Sequence, residues 1–176
     1  AGGFVPGSGT LDIVFGSGSR TSYPGVITRM DAATGATRWQ ITGDASPLNM
    51  NQVRQLQITK MQGHAEPVAL ALGFGNFNYN GQVAALNVSN GNLLWSVSSS
   101  NGGLPQDVYP LAMAPVDIDG DTFTESLLVC TSESRLRQID TTTQSPTWSS
   151  VAMAGECRGA MQLTSGGRTQ LVAIMS

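Results

Sequence analysis

The chain has 176 residues, a formal net charge of -3 and only 12% charged residues, and Lys60 is its single lysine. A weakly acidic chain without a basic stripe is a poor partner for nucleic acid. No apolar run reaches the roughly 18 to 20 residues that cross a membrane, and no stretch has the periodicity of a long amphipathic helix. The composition, with 21 glycines and many serines and threonines, indicates an all-β chain that acts outside the cytoplasm: secreted, at the cell surface, or periplasmic if bacterial.

The first predicted strands cover residues 11–16 and 26–30, and the phrase Asp31-Ala-Ala-Thr-Gly35-Ala-Thr-Arg-Trp39 follows them. An Asp side chain opens a turn by accepting a hydrogen bond from the backbone two residues on. A Gly in the middle of the turn tolerates positive φ, and a Trp on the returning strand is large enough to cover the gap between neighbouring sheets. The phrase therefore predicts a β-hairpin that contacts an adjacent sheet.

Two further copies of this phrase show that the chain is built from repeats. They run from Asn87 to Trp95 and from Asp140 to Trp148, so that successive Trp residues are 56 and 53 positions apart. This period fits one four-stranded propeller blade. Gln144 replaces the turn glycine in the third copy, and we expect that turn to be looser or bulged.

The strand pattern divides the chain into blades, with strands A to D counted outward from the propeller axis. Residues 10–42 form a blade that lacks its A strand, residues 53–98 and 108–151 form complete blades, and residues 158–175 form an A and B pair. We count about 13 strands in an arc of about three to three and a half blades. Because propellers close with roughly four to eight blades, we expect other polypeptide to complete this one, and we expect a processed or partial chain.

Two resemblances support the propeller. The phrase at Asp31 to Trp39 resembles the tryptophan-docking motif of quinoprotein-type (PQQ-like) propellers. The segment from Asp117 to Glu125 is similar to the calcium loops of the FG-GAP repeats in integrin α subunits. Both repeat types imply propeller architecture, and since enzymes, adhesins and assembly scaffolds all use them, neither implies one function.

The acidic loop is the clearest candidate for a binding site. Asp117, Asp119, Asp121 and Glu125 stand at loop positions 1, 3, 5 and 9, and a sharp turn brings such carboxylates to one point. Calcium takes six to eight oxygens, so the Phe123 carbonyl and water can complete the set. The alternative is an acidic turn without metal, although three neighbouring Asp side chains repel one another when no cation is present.

Cys130 and Cys157 fall on adjacent blades in this division. An extracellular chain would oxidise them to a disulfide if the two blades bring them together. The alternative is a pair of buried free thiols.

Two surface features remain. The Asn87-Val88-Ser89 sequence is a glycosylation sequon in a eukaryotic secretory context and otherwise a plain turn. The stretch from Phe74 to Asn80, which includes Phe77 and Tyr79, forms an enlarged loop that can bind a partner or glycan by stacking. Its alternative is an Asn/Gly loop with anchoring aromatics.

Catalysis has little support in the sequence. His64 is the single histidine and lies in a turn, and the vicinal disulfide typical of quinoprotein dehydrogenases is absent because the cysteines are 27 positions apart. We therefore expect a non-catalytic scaffold for protein contacts, stiffened by calcium. The alternatives are a fragment of a quinoprotein-type oxidoreductase and a carbohydrate-binding or adhesive module.

Overall fold

The computed structural model describes residues 2–5, 12–19, 23–42, 48, 50–75, 81–165 and 168–176. These residues contain fourteen β-strands and no helix, so none of them forms a helix that could cross a membrane. The strands are β1 Gly2–Val5, β2 Asp12–Ser19, β3 Tyr23–Asp31, β4 Thr37–Thr42, β5 Gln52–Thr59, β6 Val68–Phe74, β7 Gly81–Asn87, β8 Leu93–Ser98, β9 Pro110–Val116, β10 Ser126–Thr131, β11 Arg135–Asp140, β12 Pro146–Ser149, β13 Cys157–Ser165 and β14 Arg168–Met175.

All ladders between these strands are antiparallel, and sequence neighbours pair in order. Strands β1 to β4 form blade 1, β5 to β8 form blade 2 and β9 to β12 form blade 3, while β13 and β14 form a two-stranded terminal hairpin. A bridge between Gly18 and Gln52 joins blades 1 and 2 into one continuous sheet. The all-β fold of four-stranded antiparallel blades predicted from the sequence is confirmed.

Blade 1 differs from the prediction, which left residues 10–42 without an A strand. Strand β1 pairs with β2 over four residues, from Gly2 opposite Phe15 to Val5 opposite Asp12. It occupies the place that the A strand takes in the other blades. A four-residue segment with two glycines has too little periodicity to be identified as a strand, so only its pairing with β2 reveals it.

The apolar core lies between the blades. Strand β6 is buried on both faces: its alanines Ala69 and Ala71 pack toward blade 1, and Leu70 and Leu72 pack toward blade 3. This explains why β6 reads as a continuous apolar run instead of an alternating one. A third cluster, which includes Leu128, joins blade 3 to the terminal hairpin.

The three phrase turns are alike in backbone conformation. Gly35, Gly91 and Gln144 have φ values of 73°, 76° and 59°. In each copy the amide at this position donates to the carbonyl of the Asp or Asn that opens the turn, at 2.8 to 2.9 Å. The third turn is therefore no looser than the other two, because the hydrogen bonds of Asp140 hold Gln144 in the left-handed region. The pairing beside it is bulged between Gln138 and Ile139, as it is at the same place in the other two copies.

Candidate metal centre

The acidic loop connects β9 to β10, at the end of blade 3 where the A strand is followed by the B strand. Its four carboxylates converge: one ligand oxygen from each of Asp117, Asp119, Asp121 and Glu125 lies within 4.8 Å of all the others. Among the described residues, this is the group of acidic, His or Cys side chains that could hold a metal ion. The structure thus brings together the carboxylates that the sequence singles out.

Backbone amides of the loop orient these side chains. Gly120 and Thr122 donate to the two oxygens of Asp117 at 2.6 and 3.0 Å, and Ile118 donates to Glu125 Oε2 at 2.7 Å. Gly120 and Thr122 reach these positions with φ values of 86° and 76°. The loop is therefore wound tightly around its own carboxylates, with their remaining oxygens available to a ligand.

One of those remaining oxygens is buried. Glu125 Oε1 is shielded from solvent and has no hydrogen-bond partner in the described structure. A buried carboxylate oxygen without a partner costs free energy, of the order of 1 to 3 kcal/mol or more for a charged group. A cation bound by this oxygen would remove that cost.

Phe123, the predicted carbonyl ligand, lies in the same loop. Its amide donates to Asp121 Oδ1 at 2.8 Å, and its ring lies 5.9 Å from the ammonium group of Lys60. These contacts involve the amide and the ring of Phe123, so the role of its carbonyl as a metal ligand stays a prediction.

The loop is tied to blade 2 on one side. Thr124 donates its amide to the Lys60 carbonyl at 2.9 Å, and its hydroxyl shares a hydrogen bond of 2.7 Å with the Thr59 hydroxyl. Both partners belong to the end of β5 and the connection after it. The position of the acidic loop is thus coupled to the neighbouring blade.

The terminal hairpin holds the loop on the other side. Gln162 on β13 accepts a hydrogen bond from the Asp117 amide at 2.8 Å and donates to the Asp117 carbonyl at 2.6 Å. Gln55 on β5 makes the same pair of bonds with the backbone of Met113 on β9, at 2.8 Å each. Sequence reasoning missed both clasps, since a Gln in a strand carries no signal of which backbone its amide will meet.

Cys130 on β10 and Cys157 at the start of β13 form a disulfide, with their Cα atoms 5.6 Å apart. Both residues are fully buried in the cluster between blade 3 and the hairpin. The hairpin is therefore attached to blade 3 by a covalent bond as well as by the Gln162 clasp.

The other two predicted surface features have different outcomes. Asn87 acts as a turn residue, because its Oδ1 accepts the Ser89 amide at 2.8 Å, and its glycosylation stays a prediction. Phe74 ends strand β6, is only 5% exposed and packs edge-on against Tyr109. It is therefore not a free stacking surface, while Phe77 and Tyr79 lie outside the described residues.

The first phrase shows how one blade docks on the next. Trp39 Nε1 donates to the Val88 carbonyl, in the second phrase turn, at 2.7 Å. Arg29 reaches the same carbonyl at 2.9 Å, while its other guanidinium nitrogens donate to the buried Asp12 at 2.6 and 2.9 Å. Blade 1 thus holds the phrase turn of blade 2 through an indole and a charge-paired guanidinium.

A family model described as outer membrane protein assembly factor BamB matches residues 9–168. The chain belongs to this family of PQQ-like propellers. No curated protein matches it. The FG-GAP resemblance concerns the acidic loop and stays a prediction.

Solved structures agree with this fold. The C-terminal domain of Pseudomonas aeruginosa PilY1 is 11% identical, with a TM-score of 0.72 over 99% of this chain and 43% of that one. Saccharomyces cerevisiae Sqt1 is 15% identical, with a TM-score of 0.70 over 99% of this chain and 43% of that one. BamB from Moraxella catarrhalis is 17% identical, with a TM-score of 0.54 over 92% of this chain and 40% of that one. The chain thus spans about two fifths of the length of these structures.

Within this BamB-like chain the three Trp residues have different surroundings. Trp95 is buried in the core between blades 2 and 3, and its Nε1 has no hydrogen-bond partner in the described structure. Trp148 on the outer strand β12 is 47% exposed. Only Trp39 both contacts the glycine of a phrase turn, Gly91, and donates its Nε1 hydrogen to a backbone carbonyl, that of Val88. The docking motif is therefore complete once among the described residues.

Proposed function

We propose that the chain is a non-catalytic propeller module of an extracytoplasmic protein, that its Asp117–Glu125 loop binds calcium, and that it serves as a rigid scaffold for protein contacts. The observation that carries the calcium assignment is the convergence of four carboxylates within 4.8 Å of one another, and one of these residues, Glu125, has a buried carboxylate oxygen without a partner.

The chemistry of the ligand set favours calcium over softer metals. All donors are oxygens, and carboxylates at positions 1, 3, 5 and 9 of a loop suit a hard cation that takes six to eight oxygens. The Phe123 carbonyl and water would supply the others. A divalent cation would also remove the repulsion among the carboxylates, which backbone amides only partly offset.

Calcium in this loop would stiffen more than the loop itself. Thr124 bonds to blade 2 and Asp117 bonds to the terminal hairpin, so a bound ion would fix the separation of these two attachment points. The expected consequence is a rigid arc of three blades and the hairpin, which is the property that a scaffold requires.

The scaffold role outside the cytoplasm is supported by the family to which the chain belongs and by its disulfide. The family description names an outer membrane protein assembly factor, and a role in protein contacts outside the cytoplasm is consistent with it. The buried Cys130–Cys157 disulfide is typical of proteins in oxidising compartments. We propose other polypeptide and extracytoplasmic proteins as partners, not nucleic acid or the membrane interior.

A quinoprotein-type oxidoreductase is the second candidate, favoured only by the PQQ-like repeats. The two cysteines of the chain bond to each other across 27 positions, so this chain does not supply a vicinal disulfide to hold a quinone cofactor. The carbohydrate-binding alternative no longer has Phe74 as a stacking surface, because the Phe74 ring lies between Tyr109 and the guanidinium of Arg54.

The calcium proposal is tested by thermal unfolding in excess Ca²⁺ and in excess chelator. Binding that saturates the site at about 100 times its Kd stabilises the folded state by about 2.7 kcal/mol, which raises the Tm by about 5 to 10 °C. Asp119→Asn keeps the acceptor for the Asp121 amide and an oxygen ligand but removes one negative charge, so it should weaken the response to Ca²⁺.

Asp107→Asn is the matched control, because Asp107 is an exposed residue outside the cluster and the substitution removes the same charge. It should leave the calcium response unchanged. A melting curve of the wild type that is identical in Ca²⁺ and in chelator would overturn the proposal.

A further inference from the structure

The acidic loop lies in a closed ring that also contains the disulfide. After Glu125 the chain continues as β10, which carries Cys130 five positions later. Cys130 is bonded to Cys157 on β13, and Gln162, five positions further along β13, bonds to the backbone of Asp117 at the other end of the loop. Every link in this ring is covalent except the two hydrogen bonds of the Gln162 clasp. The clasp is therefore the point at which the ring can open.

The disulfide is remote from the acidic cluster. A strand rises about 3.3 Å per residue, so five residues of β10 or β13 place the sulfur atoms roughly 16 Å from the loop, measured along the strands. The disulfide is thus too far away to contact a ligand oxygen. Its effect on the loop passes through β10 and β13.

Apolar packing alone holds the hairpin weakly against blade 3. Besides Cys157, the hairpin residues that join the shared cluster are Ala160, Ala173 and Met175, and these three are only partly buried. Gln162 is itself partly exposed, so water competes for its amide as soon as β13 moves. The disulfide keeps β13 in place, because a covalent link holds the clasp partners at a high effective concentration.

We propose that Gln162 is a positioning residue of the calcium site and that the Cys130–Cys157 disulfide holds it there, so that the loop reaches its full calcium affinity only in the oxidised protein. Gln162 fixes both the amide and the carbonyl of Asp117, the residue at loop position 1. This inference rests on the proposed calcium binding and adds what controls it.

The gain in calcium affinity is one of preorganisation. A loop that is already held in its bound conformation loses less chain entropy when the ion binds. Both anchored ends carry ligands, since Asp117 is clasped by Gln162 and Glu125, with its buried oxygen, leads directly into β10. Because disulfides form in oxidising compartments, the site reaches its full affinity after the chain has left the cytoplasm.

The affinity of the full chain for Ca²⁺ is measured by isothermal titration calorimetry. Two variants open the ring at different links: Gln162→Ala removes the clasp, and Cys130→Ala combined with Cys157→Ala removes the disulfide. We expect each variant to raise the Kd for Ca²⁺ by about tenfold, the size of a typical coupling between two sites. Cooperative melting in chelator shows that a variant is folded.

Gln55→Ala is the matched control. Gln55 makes the same pair of backbone bonds, but to Met113 in β9, outside the acidic loop. The substitution therefore removes the same side-chain atoms and the same number of hydrogen bonds to the A strand of blade 3. It should leave the Kd for Ca²⁺ unchanged, and an increase as large as that of Gln162→Ala would overturn the positioning role.

Combining the variants tests whether the disulfide acts through the clasp. In a protein that already carries Gln162→Ala, removal of the disulfide should leave the Kd for Ca²⁺ unchanged, since the link through which the disulfide acts is gone. Two losses of affinity that multiply would overturn the inference.

The wild type gives a reciprocal measurement that does not depend on the folding of the cysteine variant. Because coupling between two sites is reciprocal, calcium must make the disulfide harder to reduce by the same factor. The chain is equilibrated in mixtures of reduced and oxidised dithiothreitol, with Ca²⁺ or with chelator, and its free thiols are counted by alkylation and mass spectrometry. Ca²⁺ should shift the equilibrium toward the disulfide by about tenfold in the wild type and leave it unchanged in Gln162→Ala. Equal thiol content of the wild type in Ca²⁺ and in chelator would overturn the inference.

Failure of this inference is distinct from failure of the calcium proposal. A wild type that takes up no Ca²⁺ in the calorimeter overturns both. A wild type that binds Ca²⁺ with the same Kd as Gln162→Ala and the cysteine variant overturns only the control by the disulfide, and it leaves the calcium loop as proposed.

Discussion

The indole of Trp39 lies so close to Gly91 that a β-carbon there would stand 2.9 Å from two of its ring atoms. Gly91 therefore has two roles, a left-handed turn conformation and a flat surface for the tryptophan of the preceding blade. The glycine at the same position in the first phrase, Gly35, has only the first role, because a β-carbon there meets nothing within 4 Å.

A comparison of Gly35 with Gly91 allows the contribution of the Trp39–Gly91 contact to folding free energy to be measured. Gly35→Ala should cost about 1 kcal/mol of folding free energy, since its φ of 73° disfavours any residue with a β-carbon. Gly91→Ala has the same backbone cost and should lose a further 1 to 3 kcal/mol, roughly, because the indole must move. Urea unfolding of both variants provides the comparison, and equal losses would show that Trp39 can shift without cost.

The repeat could be predicted from sequence because its signals are local. An Asx residue, a turn glycine and a Trp at fixed offsets depend on backbone chemistry within nine residues, and the acidic ladder from Asp117 to Glu125 depends on chemistry of the same range. The contacts that join blades are long-range. Nothing near Gln162 indicates that its amide will meet Asp117, 45 positions away.

Two differences from the sequence prediction have the same physical origin. Strand β1 exists as a strand because β2 offers it partners, and Gln144 keeps a left-handed turn because Asp140 accepts hydrogen bonds from Thr142 and Thr143 at 2.9 and 2.6 Å. In both cases hydrogen bonding overrides the preference of the residues themselves. Intrinsic propensities amount to about 1 kcal/mol or less per residue, so such an outcome needs only one or two bonds.

Gln144 should be replaceable by Gly with a gain in stability. Its φ of 59° costs a side-chain residue about 1 kcal/mol, and Gly removes that cost while restoring the consensus of the other two turns. Ser134→Gly is the control, because Ser134 has a φ of 58° in a different turn. Chemical unfolding should show a gain of up to about 1 kcal/mol for each, and a loss for Gln144→Gly would mean that its side chain stabilises the blade.

The disulfide should contribute substantially to stability. Closing a loop of 27 residues removes chain entropy from the unfolded state worth roughly 3 to 4 kcal/mol. Replacing both cysteines with Ala should lower the free energy of unfolding by about that amount and remove its sensitivity to reductant. Mass spectrometry after alkylation in denaturant is the direct measurement: wild-type protein should take up no alkyl group without reductant, and uptake of two would disprove the bridge.

The two phrase aspartates should make stability depend on acid pH. Donation from the Thr34 amide, then from Ala33, with the charge of Arg38, holds the pKa of Asp31 below its usual value of 3.8 although desolvation opposes this. Donation from the Thr143 amide, with its hydroxyl and the Thr142 amide, lowers the pKa of Asp140 in the same way against desolvation. Because the folded pKa values are depressed, the stabilisation is fully present above about pH 4 and is lost as the pH falls through the folded values.

Replacing both residues with Asn tests this sign. Asn87 makes the same turn with an amide oxygen, so the double variant should fold and lose only the contribution of the charged form. Its free energy of unfolding should be lower than that of the wild type at pH 7. Urea unfolding at a series of pH values should show this difference shrinking below pH 3.8, the ordinary pKa. A difference that stays constant down to pH 2.5 would mean that the aspartates stabilise their turns by shape and hydrogen bonding alone, independently of charge.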